Sequence, residues 1–182
     1  DGERPGVALE AVRSLDVGCR RVTDLFLSRE DPPSASALDE ARAFCREAFE
    51  SGLPAEARDP ERLVCVGGTV TTLAAIDARL DPYDPAFVHL QTLTLDEADE
   101  LTGRLAALPL EQRRGVVGLQ PKRAGVILAG AVCVSELMRA CHARELTVSE
   151  SDLLYGLSLS AAAVANGIAA PVSWTPQLFS LR

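Results

Sequence analysis

The stretch richest in possible chemistry is Val64-Cys65-Val66-Gly67-Gly68-Thr69-Val70-Thr71-Thr72. A short apolar run ends in paired glycines, and a threonine-rich segment follows. Glycines let a backbone approach a ligand with no Cβ in the way. The start of the next helix exposes unpaired amides and hydroxyls, a setting that suits phosphate. A tight strand-to-helix turn capped by Thr69 would use the same residues, so this pattern alone leaves both readings open. Arginine is the natural second component, because its planar fork binds phosphate bidentately and lysine does not. The chain has 17 Arg and one Lys, Lys122. Arg123 and Arg21, from distant segments, join Gly67, Gly68 and Thr69 in the expected anion site. The plainer alternative for Arg123 is a helix cap or an ion pair with a nearby acid.

Charge is distributed to match. The whole chain carries a net charge of −8, which excludes a generally basic protein that coats nucleic acid or an anionic membrane. Residues 77–100 carry seven acids and one base, while residues 101–124 carry five bases (Arg104, Arg113, Arg114, Lys122, Arg123) and one acid. A local cationic patch in an acidic protein fits a specific anion site, although solvated helix faces give the same pattern. Other reactive types are less promising. Cys19, Cys45, Cys65, Cys133 and Cys141 make an odd set with no C-x-x-C pair, as expected of reduced, mostly buried thiols in a cytoplasm. His89 and His142 lack a nucleophile arrangement and read as structural or surface residues. Asp77 and Asp81 beside Arg79 read as solvated pairing.

These residues need elements to hold them. With 182 residues, 47% of them hydrophobic and 24% charged, one compact domain with a sizeable core is expected. Residues 7–17 alternate apolar and polar as a half-buried strand does, and a short helix follows over 21–27. Ser34 or Ser36 caps a helix carrying Leu38, Ala41, Phe44, Cys45, Ala48 and Phe49, which Gly52 and Pro54 close. Residues 62–66 predict a strand and residues 69–80 a helix. A loop through Val88-His89-Leu90 reaches Thr94, the cap of a helix over 95–107, and a short helix starts near Pro109. Pro121 opens the most apolar helix, over 121–141, which belongs in a core. Residues 145–149 form a last strand, Asp152 to Asn166 a last helix, and 171–182 an irregular tail. Strands alternating with helices imply an α/β architecture with three or four strands and ligands at their carboxyl ends. No run of apolar residues is long enough for a transmembrane helix, and the start lacks a signal peptide.

Several segments together resemble the exopolyphosphatase and guanosine pentaphosphate phosphohydrolase (Ppx/GppA) family. They are Gly67 to Ala75, Tyr83-Asp84-Pro85 with Val88-His89, and Leu110-Glu111-Gln112-Arg113-Arg114 followed by Gly118-Leu119. Arg123-Ala124, Val126-Ile127 and Ala129-Gly130-Ala131 continue the match, with Ser14 to Cys19, Arg21 and Thr23 before it and Val148-Ser149 and Gly156-Leu157 after it. The resemblance implies an α/β, ribonuclease-H-like domain of the sugar kinase, Hsp70 and actin superfamily, helix-rich with a small mixed sheet, over residues 1–170. It implies a cytoplasmic phosphohydrolase that releases orthophosphate from polyphosphate or guanosine pentaphosphate with Mg2+. The sugar- and acetate-kinase relatives share the glycine turn but not the arginine-rich and Val-Ser matches.

The same resemblance assigns this chain to the second domain only, so no catalytic residue and no metal ligand is expected in it. Its partners are then the phosphorylated substrate and a preceding N-terminal domain. An edge left by a lost first strand also leads us to expect a homodimer. Two departures stand out: Gly125 replaces a family Asp after Arg123-Ala124, and Asp152-Leu153-Leu154-Tyr155-Gly156 replaces Gly-Leu-Arg-Glu-Gly. They leave room for an alternative function, a non-catalytic module that senses phosphate or nucleotide.

Overall fold

The computed structural model describes residues 10–167. The chain divides into two compact units, one formed by Arg13–Glu150 and the other by residues up to Val12 and from Ser151 on.

The first unit begins with α1 (Cys19–Val22), which runs directly into a π-helical turn, Thr23–Leu27. Residues 10–17, expected as part of a strand, form none. Alternation describes which faces a strand would have, but a strand also needs a neighbour for its N–H and C=O groups. The three-stranded sheet of the described residues does not include this segment. Ser34 caps α2 (Ala35–Gly52), its hydroxyl accepting from the Ala37 amide. Ala41, Cys45 and Phe49 recur at helical spacing along its buried face.

Next come β1 (Val64–Val66), α3 (Gly68–Asp77), α4 (Pro85–Val88), β2 (Thr92–Thr94) and α5 (Leu95–Ala106). Thr94 is the cap of α5 as expected. Its hydroxyl accepts from the Glu97 amide at 3.2 Å while the Glu97 carboxylate accepts the Thr94 N–H at 2.8 Å, a reciprocal capping box. The three residues of β2 were expected as loop. A strand this short has no period to read, and its partner lies some 50 residues on.

After α6 (Leu110–Arg113) and a 3-10 turn, Pro121–Arg123, comes α7 (Ile127–Ala140). The single helix expected over 121–141 is therefore broken near Gly125. Arg113 explains the break, because its Nη1 donates to the Ala124 carbonyl. In a continuous helix that oxygen would accept the Leu128 amide. From Ile127 to Val132 every residue of α7 is buried. This helix packs against α1, α2, α3 and α5, which is why its sequence is apolar all round.

The unit ends in β3 (Glu145–Ser149), the central strand of three. It pairs parallel with β1 and antiparallel with β2. Leu73, Leu93, Leu101, Leu105, Met138 and Leu146 fill the core, each contributing roughly 1.5–3 kcal/mol by leaving water.

In the second unit, Asp152 caps α8 (Leu153–Ala165), its carboxylate accepting from the Leu154 and Tyr155 amides. The tail expected over 171–182 lies outside the described residues.

Candidate functional site

Register places the site. Val66 and Ser149 are paired at the ends of parallel strands. The chain therefore leaves β1 into Gly67 and leaves β3 into Glu150 at the same edge of the sheet. Gly67 has φ of +94°, a conformation costly for a residue with a Cβ. It lets the chain turn straight from strand into α3. Having no side chain, Gly67 cannot cap α3, and the first amides of a helix have no intrahelical acceptor.

Arg123 sits directly over this turn. A Cβ on Gly68 would lie 1.8 Å from Arg123 Nη1, so only glycine leaves space for the guanidinium. Arg123 Nε donates to Gln120 Oε1 at 3.4 Å, and among the described residues no carboxylate pairs with Arg123. Three of the expected residues, Gly67, Gly68 and Arg123, thus come together from segments over 50 residues apart.

Thr69 is at the helix start as expected, but its side chain turns inward. Its methyl would be 2.6 Å from a Cβ on Gly130 of α7, so that glycine lets α3 and α7 approach closely. The hydroxyls of Thr71 and Thr72 donate back to the Gly67 and Gly68 carbonyls, at 3.4 and 2.5 Å. What this helix start offers is its backbone amides.

Arg21 lies elsewhere. On α1, it pairs with Asp16 at 3.2 Å and lines a shallow surface groove with Leu15, Gly18 and Leu25. No residue of the glycine turn lines that groove. Nor is Arg113 part of a cationic surface: it is 5% exposed. Its guanidinium donates to the carbonyls of Leu105 (3.1 Å), Leu108 (2.8 Å) and Ala124 (3.3 Å). This buried fork fixes the segment that carries Arg123. Arg114 remains outside, paired with Glu111 at 2.5 Å.

Sequence reasoning missed three residues at the rim. The Tyr83 hydroxyl donates to the Glu150 carboxylate and also meets the Thr71 hydroxyl. Burial first, and then the bond to Glu150, push the Tyr83 phenol up, so it stays a donor at neutral pH. His89 Nδ1 accepts the Glu150 amide at 3.2 Å, and in the neutral ring that leaves Nε2 to carry the proton. Tyr83 and His89 lay in quoted motifs, but nothing local linked them to Glu150, 61 residues beyond His89. His142, by contrast, pairs with Asp59 at 3.1 Å on an exposed surface.

The edge therefore presents a cation over free helix amides, flanked by a phenol and a carboxylate. Such an arrangement binds an anion that also meets hydrogen-bonding groups. Among the described residues, no three His, Cys, Asp or Glu side chains group as metal ligands. No helix among them is long and apolar enough to cross a membrane.

Known proteins share this arrangement of sequence and fold. The family model for the Ppx/GppA phosphatase family matches residues 6–163. Exopolyphosphatase 2 of Mycobacterium tuberculosis is 37% identical over 154 residues, covering 82% of this chain and 48% of that protein. A bifunctional 3-dehydroquinate synthase/phosphatase of Fusobacterium nucleatum is 28% identical over 156 residues, which is 83% of this chain and 23% of that one. Among solved structures, an Aquifex aeolicus Ppx/GppA family member superposes with a TM-score of 0.74 at 28% identity, covering 82% of this chain and 47% of that one. The chain thus spans about half the length of the exopolyphosphatase and of the solved structure. The expected fold, helix-rich α/β with a small mixed sheet, is the one these neighbours have. With a family model matching residues 6–163, a range that runs from before α1 into α8, the chain belongs to the Ppx/GppA phosphatase family.

Proposed function

We propose that this chain is the phosphate-gripping half of a hydrolase that releases orthophosphate from inorganic polyphosphate or guanosine pentaphosphate. The observation that carries the reading is the Arg123 guanidinium lying over the Gly67–Gly68 turn at the free amides of α3. The amides and the guanidinium hold non-bridging oxygens of the substrate. In phosphoryl transfer, positioning and charge neutralisation dominate the barrier, and these groups perform that task.

Attack by water on the terminal phosphorus also needs a carboxylate base. Glu150 bonds with Tyr83 here, and the resemblance to the family puts its catalytic carboxylate in the first domain, outside the half that this chain matches. Mg2+ is the expected cofactor of the family's reaction, and the same reading places its protein ligands with that first domain.

Titration of pyrophosphate and tripolyphosphate into the 182-residue chain tests the grip. Binding is expected to weaken with salt and to fall at least tenfold in Arg123→Ala, about 1.4 kcal/mol. Equal binding by wild type and Arg123→Ala would remove the site. Guanosine pentaphosphate in place of tripolyphosphate separates the two substrates. The chain alone is expected to release no orthophosphate above a heat-killed control. A full-length protein that binds but releases none would be a sensing module instead.

A further inference from the structure

The five cysteines have no ligand spacing in the sequence, yet helix packing brings two of them into contact. Cys45 on α2 and Cys133 on α7 are 88 residues apart, with their sulfurs 3.7 Å from each other. Cys45 is fully buried and Cys133 is half-buried, so the contact lies at the margin of the core. Both are free thiols. The anion site on the glycine turn uses neither.

Charged neighbours hold the two helices together at this point. Glu136, on α7 close to Cys133, has a buried carboxylate that accepts from Arg46 Nε at 3.1 Å and from Arg139 Nη1 at 3.3 Å. Arg46 is the residue after Cys45, so the ion pair joins the same two helices as the thiol contact. That cross-link limits how far the sulfurs can drift apart. Cys19 on α1 is the third thiol near the pair, close enough to act on the charge of Cys133.

We propose that Cys45 and Cys133 are an oxidative modification site, at which a peroxide-class oxidant forms an intramolecular disulfide joining α2 to α7. In the first step the Cys45 sulfur, whose ionised form the neighbouring S–H stabilises, attacks one peroxide oxygen. The O–O bond breaks, the thiol proton leaves with the departing hydroxyl as water, and a sulfenic acid remains. In the second step the Cys133 sulfur attacks the sulfenic sulfur. The S–S bond forms, the thiol proton and the hydroxyl leave as water, and the two sulfurs have together given two electrons to the peroxide. The sulfurs must close from 3.7 Å to about 2.05 Å, a distance that side-chain rotation covers between helices already in contact. When one thiol ionises, the S–H of the other stabilises it. Here that lowers Cys45, while the same bond and burial raise Cys133.

The test uses the full 182-residue chain, reduced, desalted and treated with hydrogen peroxide. It is then denatured, alkylated without reductant and weighed. Wild type is expected to take up two fewer alkyl groups than its reduced control and to be lighter by about 2 mass units before alkylation, the two hydrogens lost. Trypsin without reductant should give one linked pair, the peptide ending at Arg46 joined to the one ending at Arg139. Dithiothreitol should restore all five thiols. Cys45→Ser should lose the linked pair, and Cys65→Ser should keep it. Full alkylation of oxidised wild type overturns the proposal. So does a link through Cys19, Cys65 or Cys141, or a mass gain that reductant does not reverse.

Discussion

Replacing Gly68 by alanine separates binding from folding. Gly68 is the first residue of α3, where alanine is at least as good a helix former. The exchange is therefore expected to leave stability unchanged or raise it by up to about 1 kcal/mol. The new Cβ would stand 1.8 Å from Arg123 Nη1. An ordinary contact needs about 3.4 Å or more, so the guanidinium must swing away by well over an ångström. That exceeds the tolerance of a hydrogen bond. A charge-assisted contact contributes about 1.5–3 kcal/mol, so pyrophosphate affinity should fall roughly 10- to 150-fold. Calorimetric titration at low and moderate salt measures the affinity, and urea unfolding measures the stability. Because the glycine acts through the arginine, the Gly68→Ala/Arg123→Ala double variant should bind no worse than either single variant. If Gly68→Ala binds pyrophosphate within about twofold of wild type while remaining folded, Arg123 does not hold the anion from this position.

Three further outcomes follow from the same geometry. Gly118→Ala should destabilise by about 2–5 kcal/mol in urea unfolding, because φ is +87° and the Cβ would fall 2.2 Å from the Ala75 carbonyl oxygen, on backbone that cannot yield. Arg113→Lys should cost about 2–4 kcal/mol by the same measurement, since an ammonium cannot serve carbonyls of Leu105, Leu108 and Ala124 at once. For Glu97, the backbone amide of Thr94, and then its hydroxyl, hold the carboxyl below its usual range. A depressed carboxylate contributes stability that is present above its unfolded pKa, about 4.3, and is lost as pH falls through the lower folded value. Thr94→Ala should therefore cost about 1 kcal/mol at neutral pH, and the gap to wild type should narrow in melts run below about pH 4.

How much of this was legible depended on how local the cause was. The cap at Ser34, one of two serines expected, the cap at Thr94 and the apolar run of α7 each announce themselves within a few residues; the box with Glu97 and the break near Gly125 were not read. The turn at Gly67 and Gly68 was equally plain, because a strand, two glycines and a helix follow in direct succession. Arg123 was found by its type and its resemblance to family positions, not by any local pattern. Causes acting across the chain were silent. Nothing in the residue types near 113 signals that its guanidinium is in the core, because it serves carbonyls at and just beyond the end of α5 (Leu105 and Leu108) and, on its other side, at Ala124. Residues 10–17 show the converse, a convincing alternation in a segment that forms no strand of the described sheet. The rim made by Tyr83, His89 and Glu150 depends on parallel register between β1 and β3, which short strands do not encode in their own composition.

The buried fork of Arg113 has a consequence for how mutations in this chain would be interpreted. Ala124, one of its three acceptors, is the immediate neighbour of Arg123, in a stretch where regular helix hydrogen bonding is interrupted. The position of Arg123, the residue proposed to grip phosphate, is thus set by another arginine that is itself in the core. On that proposal a functional screen would score both residues alike, since losing either is expected to weaken binding. Only a stability measurement tells the gripping residue from the one that aims it.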